Sequence, residues 1–344
     1  MKKLTKRPFQ SKEVSKLQAI IPAAGVGTRL RPHTHTLPKA LITVGGKPII
    51  AHILDSLIKV GVDDVVVIIG YLGDKIKDYI EKSYPGLKST FVEQKERKGL
   101  GHAIGMAKQY IFSPVIIIYG DTLFEGDISQ GLMCGCDGAI GTKVVDDPRR
   151  FGVVEKSGEY ITKLVEKPDY IKPSEVIVGV NYIKDFEMMF KAIDYIIENN
   201  ITLKGEYQLT DAFEMMVEWG AKIKTFPIEN WFDCGTAQAL IETNRHILKK
   251  HSNTSTPVVF KGNILIPPVF ISKSSKIIKS IIGPYVTVSD DCEITNSIIS
   301  DSIINEGAKV EDIVITESIL GNYSVTKGNV EKVNIGENSE VEFK

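Results

Sequence analysis

The sequence predicts an α/β domain with a Rossmann-like, doubly wound and mostly parallel sheet, followed by a parallel β-helix. Two observations lead to this fold class. Over the first part of the 344 residues, short apolar runs rich in β-branched residues alternate with amphipathic stretches. This rhythm is typical of strands buried on both faces by helices. After Thr256 the helical periodicity ends and aliphatic residues recur every six positions, which indicates a β-helix.

Three segments follow from these patterns: a basic extension over residues 1–17, the α/β domain over 18–250 and the β-helix over 256–344. The extension carries six Lys and Arg residues against a single acid, Glu13. No apolar h-region lies between these basic residues and the strand that begins at Gln18, so we do not expect a secretory signal. We interpret it as a solvated tail, and a basic arm that contacts a partner is the alternative.

The α/β domain should contain three clear parallel strands and several helices. The strands are Gln18 to Ile21, Asp64 to Ile69 and Pro114 to Tyr119, each a short run of apolar residues. Amphipathic periodicity predicts helices near residues 48–60, 74–83, 101–109, 186–199 and 208–219.

The β-helix prediction rests on repeated six-residue intervals. These intervals separate Ile282, Val288 and Ile294, then Ile298, Ile304 and Val310, and finally Ile335 and Val341. Such a period places one aliphatic side chain inside each of three faces, so a coil of roughly 18 residues would repeat about five times. An antiparallel β-domain is the alternative, but an alternation of period two is not sustained.

Composition limits the partners and the compartment. The net charge is −1 and no apolar run approaches the ~20 residues that span a bilayer. We therefore expect neither nucleic acid nor a membrane as the main ligand. We expect Cys134, Cys136, Cys234 and Cys292 to be free thiols in a reducing cytoplasm, because their spacing suits neither a disulfide framework nor a zinc site.

The most informative segment is the loop after the first strand, Pro22 to Pro32, with Lys39 shortly after it. Its small residues allow backbone N–H groups to approach phosphate oxygens, and Arg29, Arg31 and Lys39 add positive charge. In open α/β sheets such a loop lies at the ligand crevice. We interpret the segment as a polyphosphate site.

Two commoner glycine loops do not fit the spacing. A P-loop requires Lys followed by Ser or Thr directly after its second glycine, and neither follows Gly27 at that offset. A Rossmann fingerprint requires a small residue where Leu30 stands. The loop histidines His33 and His35 have no further ligands nearby, so we expect them to face solvent rather than a metal.

Two acids follow apolar strands and suit a magnesium ion. Asp121 ends the run from Ile116 through Gly120, and Asp233 follows Trp231 and Phe232. Mg²⁺ is bound by a few carboxylates together with waters and substrate phosphates. The alternative for Asp121 is a helix N-cap. We expect Trp231 to pack in the core.

Polar residues at other strand ends are candidates for substrate contacts. Lys167 lies between Glu166 and Pro168, and the proline should hold it in an extended conformation. The amide of Gln94 can read a base edge, because it offers both a donor and an acceptor. The segment 205–211 places polar side chains before a helix, which suits hydroxyl recognition or helix capping.

Together these motifs resemble the sugar-phosphate nucleotidyltransferase (nucleoside-diphosphate-sugar pyrophosphorylase) family. The motifs, in chain order, are Gly25-x-Gly27-Thr28-Arg29-Leu30-x-Pro32-x-Thr34, Pro38-Lys39, Gly120-Asp121, Glu166-Lys167-Pro168 and Asp233-x-Gly235-Thr236. The chain departs from the family's usual pattern at Pro22-Ala23-Ala24-Gly25 and at His33. The resemblance implies a nucleotidyltransferase type A-like fold and a left-handed β-helix of hexapeptide repeats, as in longer members.

The resemblance also implies a set of site residues. Catalytic roles fall to Arg29, Lys39, Asp121, Lys167 and Asp233, of which Asp121 and Asp233 would bind Mg²⁺. The nucleotide would contact Ala23, Ala24, Gly25, Gly27, Thr28, Arg29, Gln94, Gly99 and Gly120. The sugar phosphate would contact Gly152, Glu166, Lys167, Gly179 and Asn181.

The implied reaction joins an NTP, with UTP or dTTP preferred, to a hexose-1-phosphate, with glucose-1-phosphate preferred. Two alternatives remain: a second acyltransferase activity in the β-helix, or a regulatory subunit without catalysis. Acyltransferase sites generally use a His base, and no histidine follows His251. We also expect a homo-oligomer, assembled through the β-helix.

Overall fold

A computed structural model describes residues 17–251, 256–328 and 334–342. The first region contains a nine-stranded sheet with helices on both faces. In chain order, its strands and helices are β1 (Gln18–Pro22), β2 (Thr43–Val44), β3 (Lys47–Pro48), α1 (Ile49–Lys59), β4 (Asp64–Ile69), α2 (Gly73–Ser83), β5 (Lys88–Glu93), α3 (Leu100–Gly105), β6 (Val115–Ile118), β7 (Thr122–Glu125), α4 (Ile128–Leu132), β8 (Gly138–Val145), β9 (Gly152–Ser157), β10 (Tyr160–Glu166), β11 (Ser174–Ile183), α5 (Phe186–Glu198), α6 (Leu209–Glu218), β12 (Ile223–Pro227), β13 (Asn230–Asp233) and α7 (Ala237–His251).

The strand order of this sheet is β5-β4-β1-β6-β11-β8-β12-β10-β9. The predicted parallel arrangement holds from β5 to β6 and again between β12 and β8. Strand β11 runs antiparallel to both of its neighbours, and the hairpin of β9 and β10 closes the far edge. The parallel strands β5, β4, β1 and β6 thus form one half of the sheet, and the antiparallel pairings all lie on the β11 side of β6.

Alternate side chains of the central strands point into two separate hydrophobic cores, one on each face of the sheet, and helices cover both. Ala19 and Ile21 of β1 belong to the core that packs under α1 and α2. Ile20, between them, belongs to the core under α3, α5 and α6. All three are fully buried, as the continuous apolar runs of the sequence predict.

The C-terminal region is a left-handed parallel β-helix built from three five-stranded sheets. In chain order, its strands are β14 (Val258–Phe260), β15 (Asn263–Leu265), β16 (Val269–Ile271), β17 (Lys276–Ile278), β18 (Ile281–Ile282), β19 (Val286–Val288), β20 (Glu293–Thr295), β21 (Ile298–Ile299), β22 (Ile303–Ile304), β23 (Lys309–Glu311), β24 (Val314–Ile315), β25 (Ile319–Leu320), β26 (Val325–Lys327), β27 (Asn334–Ile335) and β28 (Glu340–Glu342). Every pairing is parallel except that of β14 with β15.

Two details of the predicted repeat are wrong. Coils are shorter than 18 residues: paired positions differ by 17 at Ile264 and Ile281, and by 16 at Ile298 and Val314. Ile298 also points outward and is 45% exposed, whereas Ile299 is buried. Successive residues of a strand face opposite sides. Since the coils are shorter than expected, the inward position falls on Ile299 and not on Ile298.

Two of the four cysteines also depart from the prediction. Cys134 and Cys136 form a disulfide with Cα atoms 5.3 Å apart, because Gly135 takes a left-handed conformation that turns the chain back. Cys234 and Cys292 are free and buried, as expected. Burial raises the pKa of these thiols to about 12 and about 11. The cytoplasmic location stays a prediction.

The β-helix packs against the α/β region at α7. Asn244 is 1% exposed, and its side-chain oxygen accepts hydrogen bonds from the Gly45 amide at 2.8 Å and the Thr287 hydroxyl at 2.6 Å. Arg245 forms an ion pair with Asp301 at 2.8 Å. One buried amide thus joins a loop of the α/β region to a coil of the β-helix.

A second contact joins the β-helix to the loop that follows β1. The ring of His33 hydrogen-bonds the side chain of Asn334, and Gly336 lies against Pro32. His33 is only 5% exposed, so the expectation that it faces solvent is wrong. The β-helix covers it. Within the described residues, no helix is long and apolar enough to cross a bilayer.

Candidate active site

A cleft lies at the carboxyl ends of β1 and β6 and has two halves. One half is a cavity of about 330 Å³ and the other a cavity of about 240 Å³. Tyr119 and Asp121 line both halves. The sheet edge that the sequence singled out therefore holds two adjoining compartments with an acid at their junction.

The larger half gathers most of the residues predicted to contact the nucleotide. Its lining includes Ala23, Ala24, Gly25, Gln94, Gly99 and Gly120, together with Lys39 and Asp121. In the described part of the chain, the backbone N–H groups of Ala24 and Gly25 donate no hydrogen bond. They are available to an anion. A Cβ atom on Gly120 would lie 2.8 Å from the Pro22 carbonyl oxygen, so only glycine fits there.

The two predicted metal ligands lie side by side because β7 and β13 pair. Asp233 is opposite Thr122 in this antiparallel ladder, and the Cys234 amide donates to the Asp121 carbonyl at 3.1 Å. The Lys39 ammonium lies 2.6 Å from Asp121 Oδ2 and 3.9 Å from Asp233 Oδ1. Lys39 is 8% exposed. Both carboxylates thus reach one buried cation.

This arrangement fits a magnesium ion. The two carboxylates are hard oxygen donors close enough to share one positive charge. No third His, Cys, Asp or Glu joins them in the parts of the chain that the structure covers. The remaining ligands would be water and substrate phosphate, the usual partners of Mg²⁺.

Two arginines add positive charge beside Asp233. The guanidinium of Arg29 lies against Gly235. A Cβ atom added to Gly235 would be only 2.8 Å from Nη2 of Arg29. Arg150 places Nη2 3.5 Å from Asp233 Oδ2. Both line the smaller half of the cleft. The sequence predicted Arg29, while Arg150 was missed, although two consecutive arginines precede Phe151 and Gly152.

The smaller half contains predicted sugar-site residues. Gly152 and Glu166 line it, and the Thr210 hydroxyl donates to Glu166 at 2.7 Å. Trp231 packs against the core, as expected, and also lines this half, edge-on to Phe151 with ring centroids 4.8 Å apart. Thr210 belongs to the polar segment 205–211, and recognition of substrate hydroxyls by that segment stays a prediction.

Lys167 adopts a conformation that the sequence did not predict. Instead of being extended before Pro168, it is left-handed, with φ of 47°. Its backbone N–H donates to the Phe151 carbonyl at 2.9 Å, which holds the turn. Its Nζ lies 3.1 Å from Glu166 Oε1. The tertiary bond to Phe151 overrides the local preference and keeps the ammonium beside the sugar half.

Besides Lys167, four predicted residues do not line the cleft. Gly27 is left-handed and accepts the Thr34 hydroxyl at 2.7 Å, while Thr28 is exposed at the start of a short 3₁₀ helix. Gly179 lies directly behind the Tyr119 ring. Asn181 is fully buried in β11. They support the walls, and contacts with substrate stay predictions for them.

Further residues near the cleft were given no individual role from the sequence, although two of them lie in the polar segment 205–211. Tyr119 separates the two halves, and burial raises its pKa, so its hydroxyl stays protonated. Arg97 and Glu206 line the larger half. Asp211, next to Thr210, has its pKa raised to about 6 by burial and by Glu166. The fold was needed to place Arg97 and Glu206 together in the wall of the larger cavity.

Comparison with known proteins gives a consistent result. The sequence model of the family described as "Nucleotidyl transferase" matches residues 18–250. A glucose-1-phosphate thymidylyltransferase from Streptomyces antibioticus is 28% identical over 95% of this chain and 99% of its own length. The bifunctional protein GlmU of Methanocaldococcus jannaschii is 34% identical over 73% of this chain, which spans 60% of that protein.

Solved structures show the same fold. A UDP-glucose pyrophosphorylase complexed with UDP-glucose aligns with a TM-score of 0.59 at 23% identity, covering 68% of this chain and 99% of that one. A putative glucose-1-phosphate thymidylyltransferase from Bacillus anthracis aligns with a TM-score of 0.59 at 26% identity, covering 70% and 98%.

Proposed function

The chain belongs to the nucleotidyl transferase family, and from this premise we propose that it joins UTP or dTTP to glucose-1-phosphate and releases pyrophosphate. Nucleotidyl transfer to a sugar-1-phosphate agrees with its relatives. The observation that carries the proposal is the convergence of Asp121 and Asp233 on the Lys39 ammonium, where the two halves of the cleft meet.

The cleft suits a reaction that depends on alignment more than on proton transfer. The second pKa of a phosphate monoester is about 6, so the attacking sugar-phosphate oxygen is already ionised near neutral pH. A general base is therefore unnecessary. The larger half would hold the nucleotide, and its free amides at Ala24 and Gly25 would bind phosphate oxygens. The smaller half would hold the sugar, with Glu166 accepting from its hydroxyls.

Positive charge is placed where the reaction builds negative charge. Lys39 lies beside both acids, where it would reach the α-phosphate of a bound nucleotide, and Arg29 and Arg150 lie beside Asp233. Such fixed cations stabilise a phosphoryl transition state without reorganisation. A magnesium ion held by Asp121 and Asp233 would neutralise phosphate charge when bound.

A substrate panel tests the proposal. We expect pyrophosphate release when the protein and Mg²⁺ are mixed with glucose-1-phosphate and either UTP or dTTP, and much less with GTP, ATP or CTP. N-acetylglucosamine- and mannose-1-phosphate are the matched sugar controls. A hydrophobic pocket discriminates one methyl group by only about 1–3 kcal/mol, so use of both UTP and dTTP is expected. A folded protein that releases no pyrophosphate from any pair would instead be a regulatory subunit.

The GlmU relatives, which are named bifunctional, raise the second candidate, an acyltransferase in the β-helix. The sequence has no histidine after His251, so that region lacks the usual base. Incubation with acetyl-CoA and an amino sugar should release no free coenzyme A. Thiol release that depends on the amino sugar would establish the second activity.

The outer face of one β-helix sheet supports the predicted self-association. Ile264, Ile281, Ile298 and Val314 are stacked in register across β15, β18, β21 and β24. Ile264, Ile298 and Val314 are 38%, 45% and 52% exposed. We refer to these four residues as the aliphatic ladder.

The corner beside the ladder is self-complementary in charge. Lys279 and Asp312 each precede a ladder residue by two positions, and they are two coils apart. Both are exposed. A second copy packed antiparallel across the ladder brings Lys279 of each copy towards Asp312 of the other. We propose that the occupant of this face is a second copy of the chain.

Light scattering after gel filtration checks this assembly. We expect Ile298→Asp to lower the solution mass to that of a monomer, because it places charge in the middle of the apolar contact. Ile278→Asp is the matched control, since Ile278 is 52% exposed on the neighbouring sheet. A wild-type monomer, or an Ile298→Asp protein of unchanged oligomeric mass, would contradict the assignment.

A further inference from the structure

The side-chain amide of Gln94 has a fixed orientation in the wall of the larger half of the cleft. Gln94 is 7% exposed. Its Nε2 lies 3.2 Å from the Gly99 carbonyl oxygen and 3.0 Å from Nδ1 of His102. A carbonyl oxygen can only accept a hydrogen bond, so the atom that faces Gly99 must be the nitrogen of the amide.

This geometry also sets the proton on His102. The Gln94 NH₂ group has two hydrogens, and the Gly99 oxygen takes one of them. The second points to Nδ1 of His102, which must therefore be the unprotonated nitrogen of a neutral ring. Burial and the nearby Lys98 lower the pKa of His102, which favours this neutral form.

With both hydrogens used, Gln94 offers the cleft only an acceptor. No described residue donates to its Oε1. The neighbouring Gly99 backbone N–H donates no hydrogen bond in the described part of the chain either. An acceptor beside a donor matches the imide edge of uracil or thymine, where an N–H lies next to a carbonyl. Cytosine presents an unprotonated ring nitrogen at that position and mismatches the acceptor.

We propose that His102 is a positioning residue that fixes the Gln94 amide and thereby sets the preference for a base with an N–H at its pairing edge. The inference rests on the proposed function, in which the larger half of the cleft holds the base. His102 itself is not among the residues that line the cleft. It acts through Gln94.

Protonation of His102 should disturb this arrangement. A proton on Nδ1 would face the Gln94 NH₂ group, donor against donor, so the amide loses one of its two anchors. The charged and titratable groups around His102 are Glu96 and Lys98 on its own loop, together with Glu206 and Tyr207 on the segment that packs against that loop. We expect uridine nucleotide affinity to fall as His102 gains its proton, which requires a pH below the ordinary histidine pKa of about 6.5 because the pKa of His102 is lowered.

Two variants separate the acceptor from the shape of the ring. Asn places its side-chain oxygen where Nδ1 lies in His, so His102→Asn keeps an acceptor for Gln94, whereas His102→Leu removes it. We expect His102→Leu to weaken UTP binding about tenfold, the effect of one lost hydrogen bond. Its preference for UTP over CTP should fall by a similar factor, with kcat nearly unchanged. His102→Asn should retain both and lose the acid dependence.

Calorimetric titration of UTP and CTP, without sugar phosphate, measures these effects independently of turnover. UTP binding without pyrophosphate release would defeat the proposed function but not this inference. Unchanged UTP and CTP affinities in His102→Leu, or equal losses in His102→Asn and His102→Leu, would overturn it. The wild-type affinity profile between pH 5 and pH 8 is a check that needs no variant, and a flat difference between UTP and CTP across that range would also overturn it.

Discussion

Replacing either Asp121 or Asp233 by asparagine is expected to lower kcat by at least about 10²–10³-fold, the cost typical of removing one preorganised electrostatic group from an active site. Asparagine keeps the shape of each side chain but removes the negative charge. Because both carboxylates converge on one cation position, each loss weakens the binding of a divalent ion there. The measurement is pyrophosphate release as a function of Mg²⁺ concentration.

Asp63→Asn is the matched control, since Asp63 is an exposed acid outside the cleft. It should leave both kcat and the Mg²⁺ dependence unchanged. Thermal melting of all three variants verifies that they are folded. Near-normal rates in both Asp121→Asn and Asp233→Asn would remove the basis for the metal site and for the proposed function.

Lys39→Met should produce the second largest effect, a loss of about 10²-fold in kcat. The ammonium of Lys39 is buried at the junction of the two halves and is ion-paired with Asp121 at 2.6 Å. Met keeps the length and apolar stem but leaves two acids without their shared cation. We expect kcat to fall more than the affinity for NTP, because the cation acts where charge develops in the transition state.

Single-turnover kinetics with saturating substrates separate these two effects for Lys39→Met. Lys191→Met provides the comparison, because Lys191 is exposed on α5, away from the cleft. An unchanged single-turnover rate in Lys39→Met would show that this lysine only neutralises the two acids in the free protein.

The sequence patterns predicted those parts of the fold that local periodicity decides. The strand Asp64–Ile69 has the predicted bounds, and the helix predicted near residues 74–83 spans Gly73–Ser83. Errors arose where distant segments decide the outcome. The inward residue at Ile299 depends on the pairing between coils, and the conformation of Lys167 depends on its hydrogen bond to Phe151.

The same distinction applies to the cleft. Asp121 could be placed at the cleft because it follows a strand of the main sheet, whereas Asp233 joins it through the pairing of β13 with β7 in a separate two-stranded sheet. Their common partner Lys39 reaches them from a 3₁₀ turn, a geometry that no local pattern encodes. Arg150 and Tyr119 enter the site from segments without a motif, so the fold was needed to find them.

The contacts of Asn334 and Gly336 with His33 and Pro32 limit how the chain could change in length. Neighbouring coils of parallel strands are spaced by about 4.8 Å. Inserting or deleting one whole coil before Asn334 would carry its side chain that far from the histidine ring and release the loop beside Arg29 and Arg31. Solenoids ordinarily tolerate gain or loss of repeats, but in this protein the contact with the loop after β1 constrains the number of coils.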